Sequence, residues 1–91
     1  TTLVARYGGE EFLFCFPATG FAAARDRCEE LRRAVESEDW SALAPGLAVT
    51  LSVGVASRRR DTSVNALLER ADACLYAAKR GGRNRVVGEE Q

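Results

Sequence analysis

The chain has 91 residues, 46% apolar and 29% charged, which is the composition of one soluble globular domain. Its 13 basic and 13 acidic residues cancel, so no bulk charge draws it to nucleic acid or to a lipid surface. The absence of histidine excludes Ser-His and Cys-His catalysis, and no apolar run reaches the ~18 residues of a membrane-spanning helix.

Two strands are predicted first, at residues 3–7 and 12–16, because both stretches are rich in Val, Phe and Tyr. Gly8 and Gly9 lie between them and predict a hairpin turn, since glycine accepts positive φ at no steric cost. Both faces of the second strand are apolar, so we expect it to be central in a sheet. The lack of an initiator Met and the start inside a strand indicate a piece of a longer protein.

An amphipathic helix is predicted next, because apolar residues recur at spacings of three and four from Phe21 to Val35. Its charged residues form a solvated face rather than a catalytic group. Residues 37–46 are predicted to be a loop, in which Trp40 fills the core rather than stacking on a ligand. The three cysteines show no CxxC pairing, and we expect small buried apolar side chains at Cys15, Cys28 and Cys74.

A further strand is predicted from the alternation at residues 49–55. Gly54 weakens the interior of that strand, which indicates that a helix or another backbone comes close there. Ser63 is the predicted N-cap of a second helix, and Gly81 with Gly82 ends it.

A short last strand is predicted at residues 85–87. The order of elements is then hairpin, helix, strand, helix and short strand. This order predicts an α+β or α/β fold, in which helices pack on a sheet.

Two acidic residues, Glu10 and Glu11, directly follow the glycine pair. Adjacent carboxylates repel one another unless a divalent cation or a proton intervenes. Mg²⁺ commonly binds one or two carboxylates together with substrate phosphates, so this pair is a candidate half-site for Mg²⁺. One carboxylate could also help to deprotonate a hydroxyl nucleophile. The alternative is an ordinary polar, glycine-rich turn.

Two cations, Lys79 and Arg83, lie four residues apart around the end of the second helix. Lysine supplies a point charge and arginine a planar fork, and both suit phosphate oxygens. The alternative is that these cations only offset the helix macrodipole. Together with the carboxylates of the hairpin, they predict a site for a metal–nucleoside triphosphate.

Four blocks of the sequence form a recognisable set. Residues 6–12 read RYGGEEF and residues 50–56 read TLSVGVA. Residues 68–79 read LERADACLYAAK, and residues 82–86 read GRNRV. Together these blocks resemble the GGDEF family, the diguanylate cyclases, with the first block matching the family signature in its GGEEF form. The blocks follow the family order and cover nearly the whole chain.

The resemblance implies an α+β fold, an α/β sandwich of the nucleotidyl-cyclase or palm-like type. Its central sheet would be mostly antiparallel with helices packed on it. Residues 1–91 would be the C-terminal portion of a single GGDEF domain whose N-terminal half is missing. The implied enzyme condenses two GTP molecules into cyclic di-GMP and releases pyrophosphate, with one GTP on each protomer of a homodimer.

The resemblance also implies a role for each site residue. Gly8 and Gly9 would form the turn against the nucleotide. Glu10 and Glu11 would be the catalytic carboxylates and the ligands of Mg²⁺, with Mn²⁺ as the alternative metal. The residues that hold the triphosphate would be Lys79 and Arg83.

Two departures from the family pattern change the expectations. The family domain is nearly twice as long, and a metal-binding Asp and the residues that recognise guanine lie upstream of this sequence. We therefore expect the 91 residues alone to be inactive. Thr2 stands where the family often carries the Asp of an inhibitory R-x-x-D product site, so we expect that site to be absent or altered.

Other functions stay open beside the cyclase. One is a non-catalytic regulatory module that binds GTP or cyclic di-GMP, and another is a structural or dimerisation piece without a ligand. We expect a cytoplasmic location, an upstream sensor or regulatory domain, and no nucleic-acid partner. A membrane anchor in the full-length protein is compatible with this sequence.

Overall fold

The computed structural model describes residues 3–7, 11–15, 20–57 and 63–89. Within these ranges the chain forms two short sheets and two long helices, and it has the α+β architecture that the sequence predicts. The elements in chain order are β1 (Leu3–Tyr7), β2 (Glu11–Cys15), α1 (Phe21–Ser37), a 3-10 helix (Trp40–Ala42), β3 (Val53–Val55), α2 (Val64–Arg80) and β4 (Val86–Gly88).

The first sheet is the antiparallel hairpin of β1 and β2, with a register that runs from Leu3↔Cys15 to Tyr7↔Glu11. The predicted hairpin is thus confirmed, and β2 begins one residue earlier than expected. Residues 8–10, where the sequence predicts the turn at Gly8 and Gly9, lie outside the described residues. Among the described elements, the two strands contact each other and no other helix or strand. The central position expected for β2 stays a prediction.

The second sheet pairs β3 and β4 in parallel, with Val53 opposite Val86 and Val55 opposite Gly88. A single, mostly antiparallel sheet is therefore not what these strands form. They form one antiparallel pair and one parallel pair. Parallel strands need a crossover connection, which α2 supplies here. The strand expected at residues 49–55 is shorter than predicted and spans Val53–Val55, which pair with β4.

Helix α2 begins where the sequence predicts, because the Ser63 Oγ accepts a hydrogen bond from the Ala66 N–H at 3.1 Å. The close approach expected at Gly54 is also confirmed. A Cβ placed on Gly54 would lie 2.2 Å from the Ala71 carbonyl oxygen and 2.3 Å from the Leu75 nitrogen. Helix α2 thus rests directly on β3, backbone against backbone.

The core of the described part joins α1, β3 and α2 through Cys28, Val55 and Ala78, which are buried. Cys28 is thus the small buried apolar residue that the sequence predicts. Cys74 is only half-buried, so the buried side chain expected there is not what the structure shows. The side chain of Cys15 lies outside the described part of the chain.

The segment after α1 is not only a loop, since Trp40–Ala42 form a 3-10 helix. The half-buried Trp40 donates from Nε1 to the Val35 carbonyl oxygen at 2.6 Å and so ties this segment back onto α1. Neither long helix, nor any other helix of the described ranges, has the length and apolar character needed to cross a membrane.

Candidate functional site

The loop of residues 81–85, between α2 and β4, carries the predicted cations. Lys79 is half-buried in the last turn of α2, and Arg83 is exposed in the loop. The Arg83 N–H donates to the Ala78 carbonyl oxygen at 3.0 Å, and the Gly81 N–H donates to that of Ala77 at 2.9 Å. The loop backbone therefore satisfies carbonyl groups that the end of a helix leaves without partners.

The backbone of this loop is left-handed at three consecutive residues, with φ of 117° at Gly82, 63° at Arg83 and 48° at Asn84. Glycine adopts such angles freely and asparagine does so more readily than most residues, but for arginine they are uncommon. A left-handed arginine persists only where its surroundings hold it. The conformation of Arg83 is therefore imposed by the contacts of the loop.

Arg85 supports the loop from one side. Its Nε donates to the Arg83 carbonyl oxygen at 3.0 Å. Its guanidinium lies close to both glycines of the loop. A Cβ on Gly81 would lie 2.9 Å from the Arg85 Nη1, and a Cβ on Gly82 would lie 2.8 Å from the Arg85 Nη2. The two glycines thus leave the space that the Arg85 side chain occupies.

Asn84 fixes the loop from the other side. Its N–H donates to the Ser52 Oγ at 3.1 Å, and its Oδ1 accepts from the Arg32 Nη1 at 2.9 Å. The Asn84 Nδ2 donates to Glu36. Arg32 also holds both carboxylate oxygens of Glu29 at 2.8 Å, and its guanidinium lowers the pKa of Glu29 to about 2. Through these bonds α1 is joined to the loop that presents Arg83.

Positive charge is concentrated at this end of α2, with Lys79 and Arg80 in its last turn and Arg83 and Arg85 just beyond it. The Arg80 guanidinium lies 5.5 Å from the centre of the exposed Tyr76 ring, which is a cation–π contact. Lys79 and Arg83 thus lie at the same end of α2.

The acidic half of the predicted site is described only in part. Glu11 is the first residue of β2, opposite Tyr7, and so lies at the closed end of the hairpin. Gly8, Gly9, Glu10 and Thr2 lie outside the described residues. Because β2 makes no contact with α2 in the described part, the structure does not bring Glu11 and Lys79 together. Their convergence on one nucleotide stays a prediction.

The predicted donor set can be compared with the ligands that a divalent metal ion prefers. Glu10 and Glu11 are adjacent carboxylates, and Glu11 lies where the hairpin closes. Such oxygen donors fit Mg²⁺ or Mn²⁺. Among the described residues, no group of three or more acidic, cysteine or histidine side chains offers another metal site.

Sequence reasoning missed the residues that shape the loop. An asparagine two residues after a glycine pair is a usable signal for positive φ, and Asn84 supplies it. No local pattern, however, links Arg32 to a residue that lies 52 positions later.

A protein-family model described as "Diguanylate cyclase, GGDEF domain" matches residues 1–85. Diguanylate cyclase DgcP of Pseudomonas aeruginosa is 40% identical over 83 residues, which are 91% of this chain and 12% of that protein. Diguanylate cyclase A of Treponema denticola is 42% identical over 84 residues, which are 91% of this chain and 23% of that protein. The response regulator PleD of Caulobacter vibrioides is 43% identical over 91 residues, or 96% of this chain and 20% of that protein. The chain thus spans less than a quarter of each of these relatives.

Solved structures show the same fold. The coiled coil and GGDEF domain of DgcB from Caulobacter crescentus, in complex with c-di-GMP, superposes with a TM-score of 0.88 at 41% identity. The superposition covers 97% of this chain and 48% of that one. The active GGEEF domain of a diguanylate cyclase from Vibrio cholerae gives a TM-score of 0.89 at 28% identity, with 100% of this chain and 58% of that one covered.

Proposed function

The chain belongs to the GGDEF family of diguanylate cyclase domains, and on that premise we propose that it forms part of a domain that condenses two GTP molecules into cyclic di-GMP with release of pyrophosphate. Residues 1–91 are the C-terminal portion of a single GGDEF domain. The observation that supports this proposal is the fixed loop after α2, which presents Arg83 just beyond Lys79. By the family resemblance, these two cations hold the triphosphate.

The cations of this loop have a physical reason to be there. The C-terminal end of α2 carries partial negative charge, which by itself repels an anion. A triphosphate bound there depends on side-chain cations, with Lys79 as a point charge and Arg83 as a fork for two oxygens. Offsetting the helix dipole alone would not require Arg83 to adopt an uncommon backbone conformation.

The hairpin supplies the acidic half of the proposed site, in the GGEEF form of the signature. Gly8 and Gly9 form the turn against the nucleotide, and Glu10 and Glu11 hold Mg²⁺, with Mn²⁺ as the alternative. When bound, the metal supplies charge stabilisation at the phosphate oxygens. Glu10 accepts the proton of the ribose 3′-hydroxyl, whose oxygen attacks the α-phosphorus of the second GTP.

The reaction needs two GTP-loaded domains face to face, so the working form is a homodimer. Strands outside this sequence complete one mostly antiparallel central sheet in the palm-like fold, and they join the β1–β2 hairpin to β3. We place the domain in the cytoplasm, where GTP is found, under the control of an upstream sensor or regulatory domain. No nucleic-acid partner is proposed, since the chain has no net charge.

The test is cyclic di-GMP formation by the full-length protein with GTP and Mg²⁺. We expect Glu10→Ala to lower the rate by at least about 100-fold, the scale on which one group that stabilises charge or transfers a proton acts. Glu30→Ala is the matched control, because Glu30 is an exposed carboxylate on α1. Unchanged product formation by Glu10→Ala would refute the proposed role of this residue.

Two further outcomes separate the alternatives. GTP binding without any product from the full-length protein would identify a non-catalytic regulatory module. We expect the 91 residues alone to form no cyclic di-GMP, because they lack the upstream part of the metal site. Measurable product from the purified fragment would overturn that expectation.

A further inference from the structure

The strongest unexplained feature is the set of bonds around Asn84. Every polar group of its amide side chain has a partner, since Oδ1 accepts from Arg32 and Nδ2 donates to Glu36. Its backbone N–H donates to Ser52. These partners lie 52, 48 and 32 residues away along the chain, on α1 and just before β3. Asn84 therefore joins two distant segments, α1 and the residues just before β3, to the loop.

Arg32 is itself held from two sides. Its Nε and Nη2 form a two-pronged pair with Glu29, and its Nη1 reaches both Glu36 at 3.2 Å and Asn84 at 2.9 Å. Its side chain is only 14% exposed, whereas that of the neighbouring Arg33 is 72% exposed. A guanidinium fixed in this way has little freedom left, so it can define the position of the Asn84 amide.

The bonds of Asn84 act on the backbone of Arg83. Both residues are left-handed, and their shared peptide group cannot turn without breaking the contacts of Asn84. Arg83 makes two backbone hydrogen bonds of its own. Its N–H donates to the Ala78 carbonyl oxygen at the end of α2, and its carbonyl oxygen accepts from the Arg85 Nε within the loop. Neither bond involves a residue of α1 or β3. Among the described contacts, the link of this loop to α1 runs through Asn84, whereas Arg85 is tied to β3 by the Val53 N–H, which donates to its carbonyl oxygen at 3.0 Å.

We propose that Arg32 and Asn84 are positioning residues, which hold Arg83 in the orientation that meets the triphosphate. This inference rests on the proposed function of Arg83. Neither positioning residue needs to touch the nucleotide. Helix α1 thereby becomes part of the nucleotide site, and a change in its position alters the affinity for GTP.

The test is a double-mutant cycle in the full-length protein, with the dissociation constant of a non-hydrolysable GTP analogue in the presence of Mg²⁺ as the readout. We expect Arg32→Gln to weaken binding about 10-fold, within the range measured for residues that share one network. If Arg32 acts through Arg83, the Arg32→Gln/Arg83→Ala double variant binds no more than about 2-fold more weakly than Arg83→Ala alone. A general loss of folding would instead lower the affinity of both backgrounds equally.

Arg33→Gln is the matched control, because Arg33 shares the Glu29 contact but is largely exposed. We expect it to change the affinity less than about 2-fold, as for an exposed ion pair. Should Arg32→Gln fail to fold, Ser52→Ala removes only the bond to the Asn84 N–H, and the same non-additivity with Arg83→Ala is expected.

The outcomes distinguish failure of the proposed function of Arg83 from failure of the positioning role of Arg32 and Asn84. Full affinity in Arg83→Ala would remove the proposed function of Arg83 and this inference with it. Weakened binding in Arg83→Ala, combined with unchanged binding in Arg32→Gln or with fully additive losses, would overturn the positioning role alone.

Discussion

Gly54 shows how one missing side chain sets the distance between α2 and β3. We predict that Gly54→Ala destabilises the full-length protein's domain by about 3 kcal/mol or more, the upper range for overpacking. The reason is that the new Cβ would meet the Ala71 carbonyl oxygen at 2.2 Å, and backbone cannot move aside as a flexible side chain can. Urea denaturation followed by circular dichroism measures the change.

Gly20 provides the control for this substitution. A Cβ on Gly20 would meet no heavy atom within 4 Å, and its φ of −68° is ordinary for any residue. Gly20→Ala should therefore cost less than about 1 kcal/mol. Equal losses of stability in Gly54→Ala and Gly20→Ala would show that the close approach of α2 to β3 does not depend on the missing side chain of Gly54.

Glu29 is a residue whose ionisation the structure clearly changes. The hydrogen bond from Arg32 is the main cause that lowers its pKa from 4.5 to about 2, and Arg33 adds a smaller effect. Because the folded pKa is lower than the unfolded one, the ionised carboxylate stabilises the fold fully above about pH 4.5. That contribution is lost as the pH falls towards 2.

We therefore predict that Arg32→Gln raises the midpoint of the Glu29 titration towards 4.5, as measured by carboxyl ¹³C NMR. The same variant should show a weaker dependence of stability on pH between 4.5 and 2, since the pKa difference between folded and unfolded states shrinks. Arg33→Gln should raise the midpoint less. An unchanged midpoint in Arg32→Gln would contradict the assigned cause.

At the level of the elements, the start of α2 depends on one hydroxyl group. Ser63→Ala removes the acceptor for the Ala66 N–H, and we predict a loss of about 1 kcal/mol in the free energy of unfolding. Ser63 is exposed, so the substitution removes no buried packing. Ser63→Asp keeps an acceptor at the N-cap and should restore most of the stability, as urea denaturation can show. Equal losses in both variants would argue against capping.

The helices were predictable because their signals are local. The apolar spacing of α1, the serine before α2 and the glycines after it all lie within a few residues of the feature that they specify. The pairing of the strands was not predictable from local signals, because it depends on partners that are distant in the sequence. Residues 49–52 alternate like a strand, yet β3 is only as long as β4, and the direction of the pair follows from the crossover through α2.

The same contrast holds for the candidate site. The spacing of Lys79 and Arg83 was enough to place both cations at one end of α2. The contact between Arg32 and Asn84 joins residues 52 positions apart, so no periodicity could reveal it. The acidic residue Glu10 remains a prediction from the sequence.

For the molecule as a whole, the separation of the β1–β2 hairpin from the other described elements has a measurable effect. A two-stranded hairpin without packing partners is marginally stable in water. We predict that in the isolated 91 residues the amides of β1 and β2 exchange with deuterium faster than those of α2. If the hairpin joins the central sheet that we propose, its amides should be protected in the full-length protein. Equal protection in the isolated chain would contradict this account.

The parallel pairing of β3 and β4 also constrains the order in which the chain can mature on the ribosome. β3 is translated well before its partner, and the two cannot pair until α2 has been made and has folded back across them. During that interval Gly54 has no strand beside it on the β4 side. Slower elongation through the codons for residues 81–88 of this sequence should therefore lengthen the time in which a chaperone can capture the nascent chain.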